Sequence, residues 1–429
     1  MWRATSTLAV GLMFMGEGMQ QDLPPGVLLL SRIKRHIKEE LQHLPNVTCL
    51  ETVQRVFQPA HGKARHLDTI RLEILSDGKQ ELYASPGDRR FAPDHPITYA
   101  GSGVLGNGVF GLYLKDILVT GNASYEYKGE EQIGGRRLAR YDYRLPVLWS
   151  GYVIHTTEGS GTVGLHGSFW ADPATNDVSR LDIIADAFPP TLPLTEAVTS
   201  INYARVQLSD NRAVLLPESG DFRMVKFSGE ISHNQIEFTH CRAFDAQSTV
   251  TFPESEQVPR FGVAAVDQTL RALPGGLRVT VQLRTRITGE LAVGTLIDAV
   301  IAANASAKGS VAVAAGSPVR GRIRRLERYA EPSPHFVVAL EFTEVEVQSI
   351  RHRFDADLIE LGTASGVQET LATETMEVSD ELGGGKKIKK MRESIRLSRL
   401  PGVATFFYKG SSLDVHPGFL TVWKTRDVR

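Results

Sequence analysis

Strict alternation between residues 152 and 188 limits this chain more than any other feature. The run YVIHTTEGSGTVGLHGSFWADPATNDVSRLDIIADAF divides into three stretches of period two, separated by two turn-forming clusters. A period of two places alternate side chains on opposite faces of a strand. The first strand is expected over Tyr152–Thr157 and the second over Thr162–Ala171, joined by Glu158-Gly159-Ser160-Gly161, where Gly159 can take a positive φ. That hairpin would set Ile154 opposite Leu165 and Thr156 opposite Val163. Tyr152, Ile154, Val163, Leu165 and Phe169 would then share one face. The second turn, Asp172-Pro173-Ala174-Thr175-Asn176, has Pro to preset φ and Asp and Asn to bond the local backbone. Beyond it Leu181, Ile183, Ala185 and Ala187 alternate with Arg180, Asp182 and Asp186. The pattern describes an antiparallel sheet with one apolar face and one wet face.

The rest of the first half extends that sheet. Leu30, Ile33, Ile37, Leu41 and Leu44 recur at helical spacing after Pro24-Pro25, and Pro45-Asn46 stops the run. Strands are expected at Cys49–Gln58, Leu67–Leu75 and Lys79–Ala84, the last two joined at Asp77-Gly78. A second helix is expected over Asn107–Val119, with Asn107 as its cap and Phe110, Tyr113, Leu114 and Ile117 along one side. Strands resume at Ser124–Glu131 and Arg136–Arg144. After the hairpins they continue at Ala197–Leu208, Arg212–Leu216, Phe222–Ser228 and Gln235–Phe244. Two helices, each with one apolar stripe, need a surface to cover those stripes. A curved antiparallel sheet with the helices in its concavity supplies one.

At 429 residues the chain exceeds what one core ordinarily serves. The expected division is residues 1–20 as a signal peptide, 23–252 as the curved sheet, 253–276 as a linker, and 277–429 as a second β-rich domain. The signal reading rests on MWRATSTLAVGLMFMGEG: Arg3, a short apolar stretch, then Gly16 and Gly18. It is too short to span a bilayer as a helix, and no later run reaches that length. Cys49 and Cys241, the two cysteines of the chain, are expected to pair in an oxidising compartment. The net charge of −1 gives no global field toward nucleic acid or anionic membrane.

In the second half, LRVTVQLRTRI alternates cleanly, and VGTLIDAVIAA is apolar on both faces, as in a doubly buried strand. AGSPVRGRIRRLERY and HFVVALEFTEVEV should pair around Pro332–Pro334. GVATFFYKG and GFLTVWKT supply closing strands. A β-barrel or sandwich is the expected form. A short helix is expected over Val263–Leu273, and GGGKKIKK within 379–390 reads as a solvated loop.

Several segments resemble known families. GSFWADPATNDVSRLDI and YKGEEQIGGRRLARYDYRL resemble the strand–turn–strand units of lipoprotein-carrier-like proteins, the LolA-like half-barrel. The order of helix, strands, helix and many strands over Leu23–Phe252 does so too. LPNVTCLETVQR and FTHCRAF resemble paired segments of exported bacterial proteins built on that plan. The resemblance implies a half-barrel whose apolar cavity can hold an acyl chain or peptide, and a periplasmic or outer-membrane-associated location in a Gram-negative bacterium. Leu277–Val347 resembles the small barrel of type IV secretion core-complex proteins.

No catalytic constellation emerges. Gly101-Ser102-Gly103-Val104-Leu105-Gly106 fits G-x-G-x-x-G, but a dinucleotide site needs a parallel βαβ unit. The preceding HPITYA carries Pro, and the strands around it read as antiparallel, so a hinge or plug is the better reading. His155 and His166 would be diagonal neighbours on the wet face, about 7–8 Å apart, without the third ligand that zinc needs. Glu130, Glu131, Asp182 and Asp186 read as surface charge, and TTEGSGT lacks a positioned base. Lys386–Lys390 with Arg392 read as a solvated run. Arg320, Arg322 and Arg324 read as an outer face paired with Glu341.

The first functional expectation is a non-enzymatic exported envelope protein without a cofactor. It would hold an acyl chain, lipid or lipoprotein segment in a cavity lined by Phe110, Tyr113, Leu114, Ile117 and Trp170. Its second domain would dock on another envelope protein. The second is an envelope scaffold without a small ligand. The third is a hydrolase whose site is assembled from distant loops.

Overall fold

A computed structural model describes residues 23–77, 80–88, 91–93, 110–156, 159–208, 212–243, 270–306, 313–372, 394–396 and 401–427. The export-like run, the glycine motif at 101–106, the Asn107 cap, most of the 253–276 segment and the 379–390 loop lie outside these residues.

Helix α1 (Pro25–His43) opens the described chain, with Pro25 in its first turn, where a missing N–H costs nothing. Then come β1 (Val47–Gln58), β2 (Arg65–Ser76) and β3 (Glu81–Ala84). The second helix, α2, is a short turn at Leu112–Leu114 that continues as a π-helical turn over Lys115–Val119. Strands β4 (Ser124–Ile133), β5 (Arg136–Leu145), β6 (Val153–His155), β7 (Ser160–Thr162), β8 (Gly164–Ala171), β9 (Val178–Asp186), β10 (Leu194–Gln207), β11 (Ala213–Lys226) and β12 (Ile231–Ala243) complete the first half.

Ten of these strands form one sheet in the order β3-β2-β1-β12-β11-β10-β9-β8-β5-β4. Its pairings are antiparallel, and the register separates the faces cleanly. One row of directly opposed residues reads Ile70, Val53, Ile236, Gly220, Ile201, Leu181, Phe169, Tyr141, Tyr127. The next row reads Thr69, Gln54, Gln235, Asp221, Ser200, Asp182, Ser168, Asp142, Glu126. The first row is apolar and the second polar, as the pleat of an amphipathic sheet requires. The sheet curls around its apolar side as a half-barrel.

Both helices lie on that side. Leu29, Ile33 and Ile37 of α1 are buried, and the Tyr141 hydroxyl donates to the Gly26 carbonyl at 2.7 Å. Gly26 is needed for this approach: a Cβ there would lie 2.8 Å from the Tyr127 ring. A polar clamp fixes the far side of α1. Asp177 accepts from Arg205 (2.6 and 3.0 Å) and is paired with His36 of α1 at 2.7 Å, while Arg205 also donates to Glu40 of α1. Cys49 of β1 and Cys241 of β12 form a disulfide across neighbouring strands.

Three local expectations need correction. The hairpin register is shifted: β6 pairs β7 with Ile154 opposite Gly161, and Val163 donates to the Tyr152 carbonyl. Strand β8 instead pairs β5 and β9. Alternation alone fixes which residues are buried, not which strand they face; Ile154, Val163, Leu165 and Phe169 are all buried. Residues 212–216 and 222–228 are one strand, β11, and Pro217 sits at the register shift opposite Asn202/Tyr203. A bulge accommodates the missing N–H of proline. The segment around 296–301 alternates exposed and buried positions rather than being covered on both faces.

The second sheet comprises β13 (Arg271–Ala272), β14 (Arg278–Leu283), β16 (Leu296–Ile301), β17 (Pro318–Tyr329), β18 (His335–Val347), β19 (Ile350–Arg353), β20 (Ala356–Leu361), β21 (Val367–Gln368), β24 (Val403–Lys409) and β26 (Leu420–Thr425). Small two-stranded pairs join β15 (Ile287–Thr288) to β25 (Asp414–Val415) and β22 (Thr370–Ala372) to β23 (Ser394–Arg396). The described end of the helix expected over 263–273 is strand β13. Strands β17 and β18 pair around the Pro332–Pro334 turn as the sequence indicates. Trp423, packed edge-on against Phe342 and Phe354, anchors the core.

The halves meet along the edge of β2. Strand β3 pairs only Glu73–Ser76 of β2. Lower down, Val293 donates to the Thr69 carbonyl (2.8 Å) and accepts from the Arg71 N–H (3.0 Å), which covers part of an exposed edge. Gly294 is required here, with φ +92° and space for a Cβ only 2.6 Å from the Arg71 carbonyl oxygen. Charge crosses the same junction. Arg55 donates to Asp68 (2.6 Å) and lies 3.6 Å from Glu327, which pairs with Arg325 at 2.6 Å. Arg322 is buried against Asp88. Of the three arginines expected on an outer face, only Arg320 is exposed. Arg324 does lie beside Glu341 (3.5 Å), but that carboxylate is buried, and bulges in β17 break the alternation and turn Arg322 inward.

Candidate ligand-binding site

The concave face is where both helices meet the sheet. Phe110, at the head of α2, packs edge-on against Phe238 of β12, with ring centroids 5.0 Å apart. Tyr113 lies against Tyr152 at 5.4 Å. Ile117 is fully buried, and its carbonyl accepts from the Tyr125 hydroxyl. The structure thus brings Phe110, Tyr113, Leu114 and Ile117 together, all buried, against the apolar side of the half-barrel.

Trp170 does not join them. Its neighbour Phe169 faces inward and stacks on Tyr141, so the pleat turns Trp170 to the outer face. There its ring lies 5.5 Å from both the Arg140 and the Arg180 guanidinium, and Nε1 donates to Glu131 at 2.8 Å. His155 is exposed, and His166 pairs with Asp186 at 3.2 Å. No group of three or more potential metal ligands occurs among the described residues. Two hollows also lie on the surface, one of about 260 Å3 beside the disulfide and one of about 510 Å3 over the polar row at Gln54, Ser200, Asp221 and Gln235.

The interior carries polar chemistry that the sequence reading missed. Glu81 accepts the Phe110 backbone N–H (2.9 Å) and the Tyr83 hydroxyl (2.8 Å). Glu51, opposite Leu72 and Phe238 in the register, is buried, and its Oε2 has no hydrogen-bond partner. Burial, with the nearby Glu81 charge, pushes the Glu51 carboxyl up to about 8. At neutral pH it is therefore a neutral acid. Burial also raises the phenols of Tyr83, Tyr113, Tyr143, Tyr152 and Tyr203, keeping them as un-ionised donors. The signal was present in the alternation: Glu51 shares its phase with Val47, Cys49 and Val53, all buried, and Glu81 shares its phase with Tyr83. A carboxylate in the apolar phase of a strand is the kind of local conflict that marks a site.

Comparison with solved structures finds similar chains, among them the following three. A DUF1329 family protein from Desulfovibrio piger shares 14% identity with a TM-score of 0.27, over 51% of this chain and 95% of that one. A putative outer membrane lipoprotein-sorting protein domain from Vibrio parahaemolyticus shares 10% with a TM-score of 0.27, over 49% and 90%. A LolA superfamily protein from Nitrosomonas europaea shares 11% with a TM-score of 0.26, over 50% and 94%. No protein-family model matches the chain. No curated protein matches it either.

Proposed function

We propose that this is a non-enzymatic exported envelope protein that holds the apolar part of a lipid, acyl chain or lipoprotein segment in its half-barrel. The observation that carries the reading is the placement of α2. A three-residue helical turn and one π-turn present four large apolar side chains to the concave face. So short a helix has little stability of its own, and it depends on the packing of those side chains. A ligand chain offering equivalent apolar surface can take their place at low net cost, with α2 acting as a displaceable plug. Residues 23–252 are the binding unit in this account, and residues 277–429 form a second unit that docks on another envelope component. The Cys49–Cys241 bond supports a periplasmic or outer-membrane-associated placement, where the surroundings are oxidising.

Native mass spectrometry of protein purified from a lipid-containing bacterial host tests the reading. A bound species of lipid mass, lost on delipidation and restored in one-to-one ratio, is the supporting result. No adduct, and no saturable uptake of a fluorescent acyl probe, would refute it. That outcome would favour the scaffold reading, for which the deep burial of all four α2 side chains is the specific support.

A further inference from the structure

The hollow over the polar rows lies on the outer face of the half-barrel, away from α2, so its chemistry is independent of the container reading. We propose that this hollow binds a neutral oligosaccharide laid across the strands. Its lining comes from five neighbouring strands, β1, β12, β11, β10 and β9. Two polar rows flank it. Gln54, Gln235, Asp221 and Ser200 stand opposite one another in one row, and Thr52, Glu237, Ser219, Asn202 and Arg180 in the other. Between the rows, Gly220 and Ile236 form the floor. The rows are two residues apart along each strand, roughly 7 Å, and they cross the five strands over roughly 19 Å, at about 4.8 Å per spacing. The result is an open trough whose polar groups repeat at close to the length of one pyranose ring in an extended glycan. Its volume of about 510 Å3 lies within the usual range for small-molecule sites, about 300–1,000 Å3.

The lining chemistry selects the ligand class. Three amides, Gln54, Gln235 and Asn202, and three hydroxyls, Thr52, Ser200 and Ser219, line the trough, and each can both donate and accept. A ring of sugar hydroxyls asks for that mixture. Gln54 and Gln235, directly opposed, have no hydrogen-bond partner among the described residues and are available to a ligand. The charges are already engaged. Arg180 donates to both oxygens of Asp182 (2.9 and 3.2 Å) and lies over the Trp170 ring. Asp221 is paired with His233 at 2.7 Å. With the lining guanidinium held and the Asp221 and Glu237 carboxylates beside it, a phosphate or uronate chain meets repulsion. A peptide strand would need pockets for its side chains, and apart from Gly220 the floor offers only Ile236 as an apolar residue. Trp170, which continues the second row beyond Arg180, is buried and covered by guanidinium. Binding therefore rests on hydrogen bonds of modest net value rather than on stacking.

Calorimetric titration of the full chain with cellohexaose, chitohexaose and hexagalacturonate tests it. At least one of the two neutral chains is expected to bind in one-to-one ratio with a Kd of about 1 mM or tighter, and hexagalacturonate at least about ten-fold more weakly than that chain. Gln54→Ala/Gln235→Ala should weaken binding of the neutral chain by about ten-fold through the lost amides. Ser219→Leu, which fills the trough with a side chain that cannot hydrogen-bond, should abolish it. Gln132→Ala, at an exposed position of β4 outside the trough, should leave it unchanged, with circular dichroism checking that each variant is folded. No saturable binding of either neutral chain, hexagalacturonate binding as tightly as they do, or full binding in both trough variants would overturn the assignment. None of these outcomes bears on uptake of an acyl probe, so the container reading stands or falls separately.

Discussion

Replacing Arg55 by Met probes the buried charges that join the two halves. Arg55 is 1% exposed and Glu327 0%. The guanidinium grips both oxygens of Asp68 and approaches Glu327, which Arg325 holds from the other side. With Arg55 gone, buried Asp68 loses the guanidinium that grips both its oxygens, and Glu327 keeps Arg325 and the Tyr329 hydroxyl. Breaking one partner of a buried ion pair costs about 3–5 kcal/mol, because the other charge stays out of water. Methionine preserves much of the volume, so the loss is chiefly electrostatic. Removing Asp68 as well, in Arg55→Met/Asp68→Leu, deletes a balanced pair, and stability should return to within about 2 kcal/mol of the parent. Urea denaturation followed by circular dichroism measures all three variants, with the Asp68→Leu single variant closing the cycle. A loss below about 1 kcal/mol for Arg55→Met, or single losses that simply add in the double variant, would refute the reasoning. The junction would then be held by Val293 and its apolar neighbours rather than by charge.

Other perturbations test other parts of the structure. Burial works to raise the Asp177 carboxyl, but Arg205 and His36 outweigh it and hold the group below the ordinary carboxylate value. Its contribution should be complete above the unfolded value and fade as pH falls through the folded one; thermal melts of Asp177→Asn should lose that part of the acid sensitivity. Glu51 behaves oppositely. It keeps its proton to about 8 when folded against 4.5 ordinarily, so stability falls as pH rises across that window; Glu51→Gln should be more stable than the parent by about 3 kcal/mol near pH 7, at 1.36 kcal/mol per pH unit. Reducing the Cys49–Cys241 bond opens a loop of 192 residues, a loss of up to about 5 kcal/mol in the chain-entropy model, read as a lower denaturant midpoint with reductant. Gly294→Ala should destabilise the contact with Arg71 by about 1–3 kcal/mol through its positive φ and lack of space, raising amide exchange at Arg71 and Val293.

Much of the first sheet was legible because alternation and turn chemistry are local. The strand pairs β4–β5, β8–β9 and β17–β18 follow from adjacent alternating runs with Gly, Asp, Asn or Pro between them. Helical spacing identifies Phe110, Tyr113, Leu114 and Ile117 as one apolar stripe, and all four are buried, although only the last three lie within the helical turns. What failed was non-local. Pairing of β8 with β5 skips over β6 and β7, and no periodicity encodes which neighbour a strand chooses. Trp170 was misplaced by one position of the pleat: aromatic character suggests an interior, but Phe169 holds the inward phase and two guanidiniums cover the indole. The charge at Arg322 reads as outer face because its partner, Asp88, lies far away in the chain.

Hydrogen exchange over Leu112–Val119, with and without a saturating acyl-chain probe, tests the central claim most directly. A plug displaced by ligand predicts that exchange in this segment speeds up on saturation, while the core strands β9 and β10 stay protected. Unchanged or slower exchange in α2 at saturating ligand, or no saturation at all, would contradict a half-barrel that opens to hold a chain.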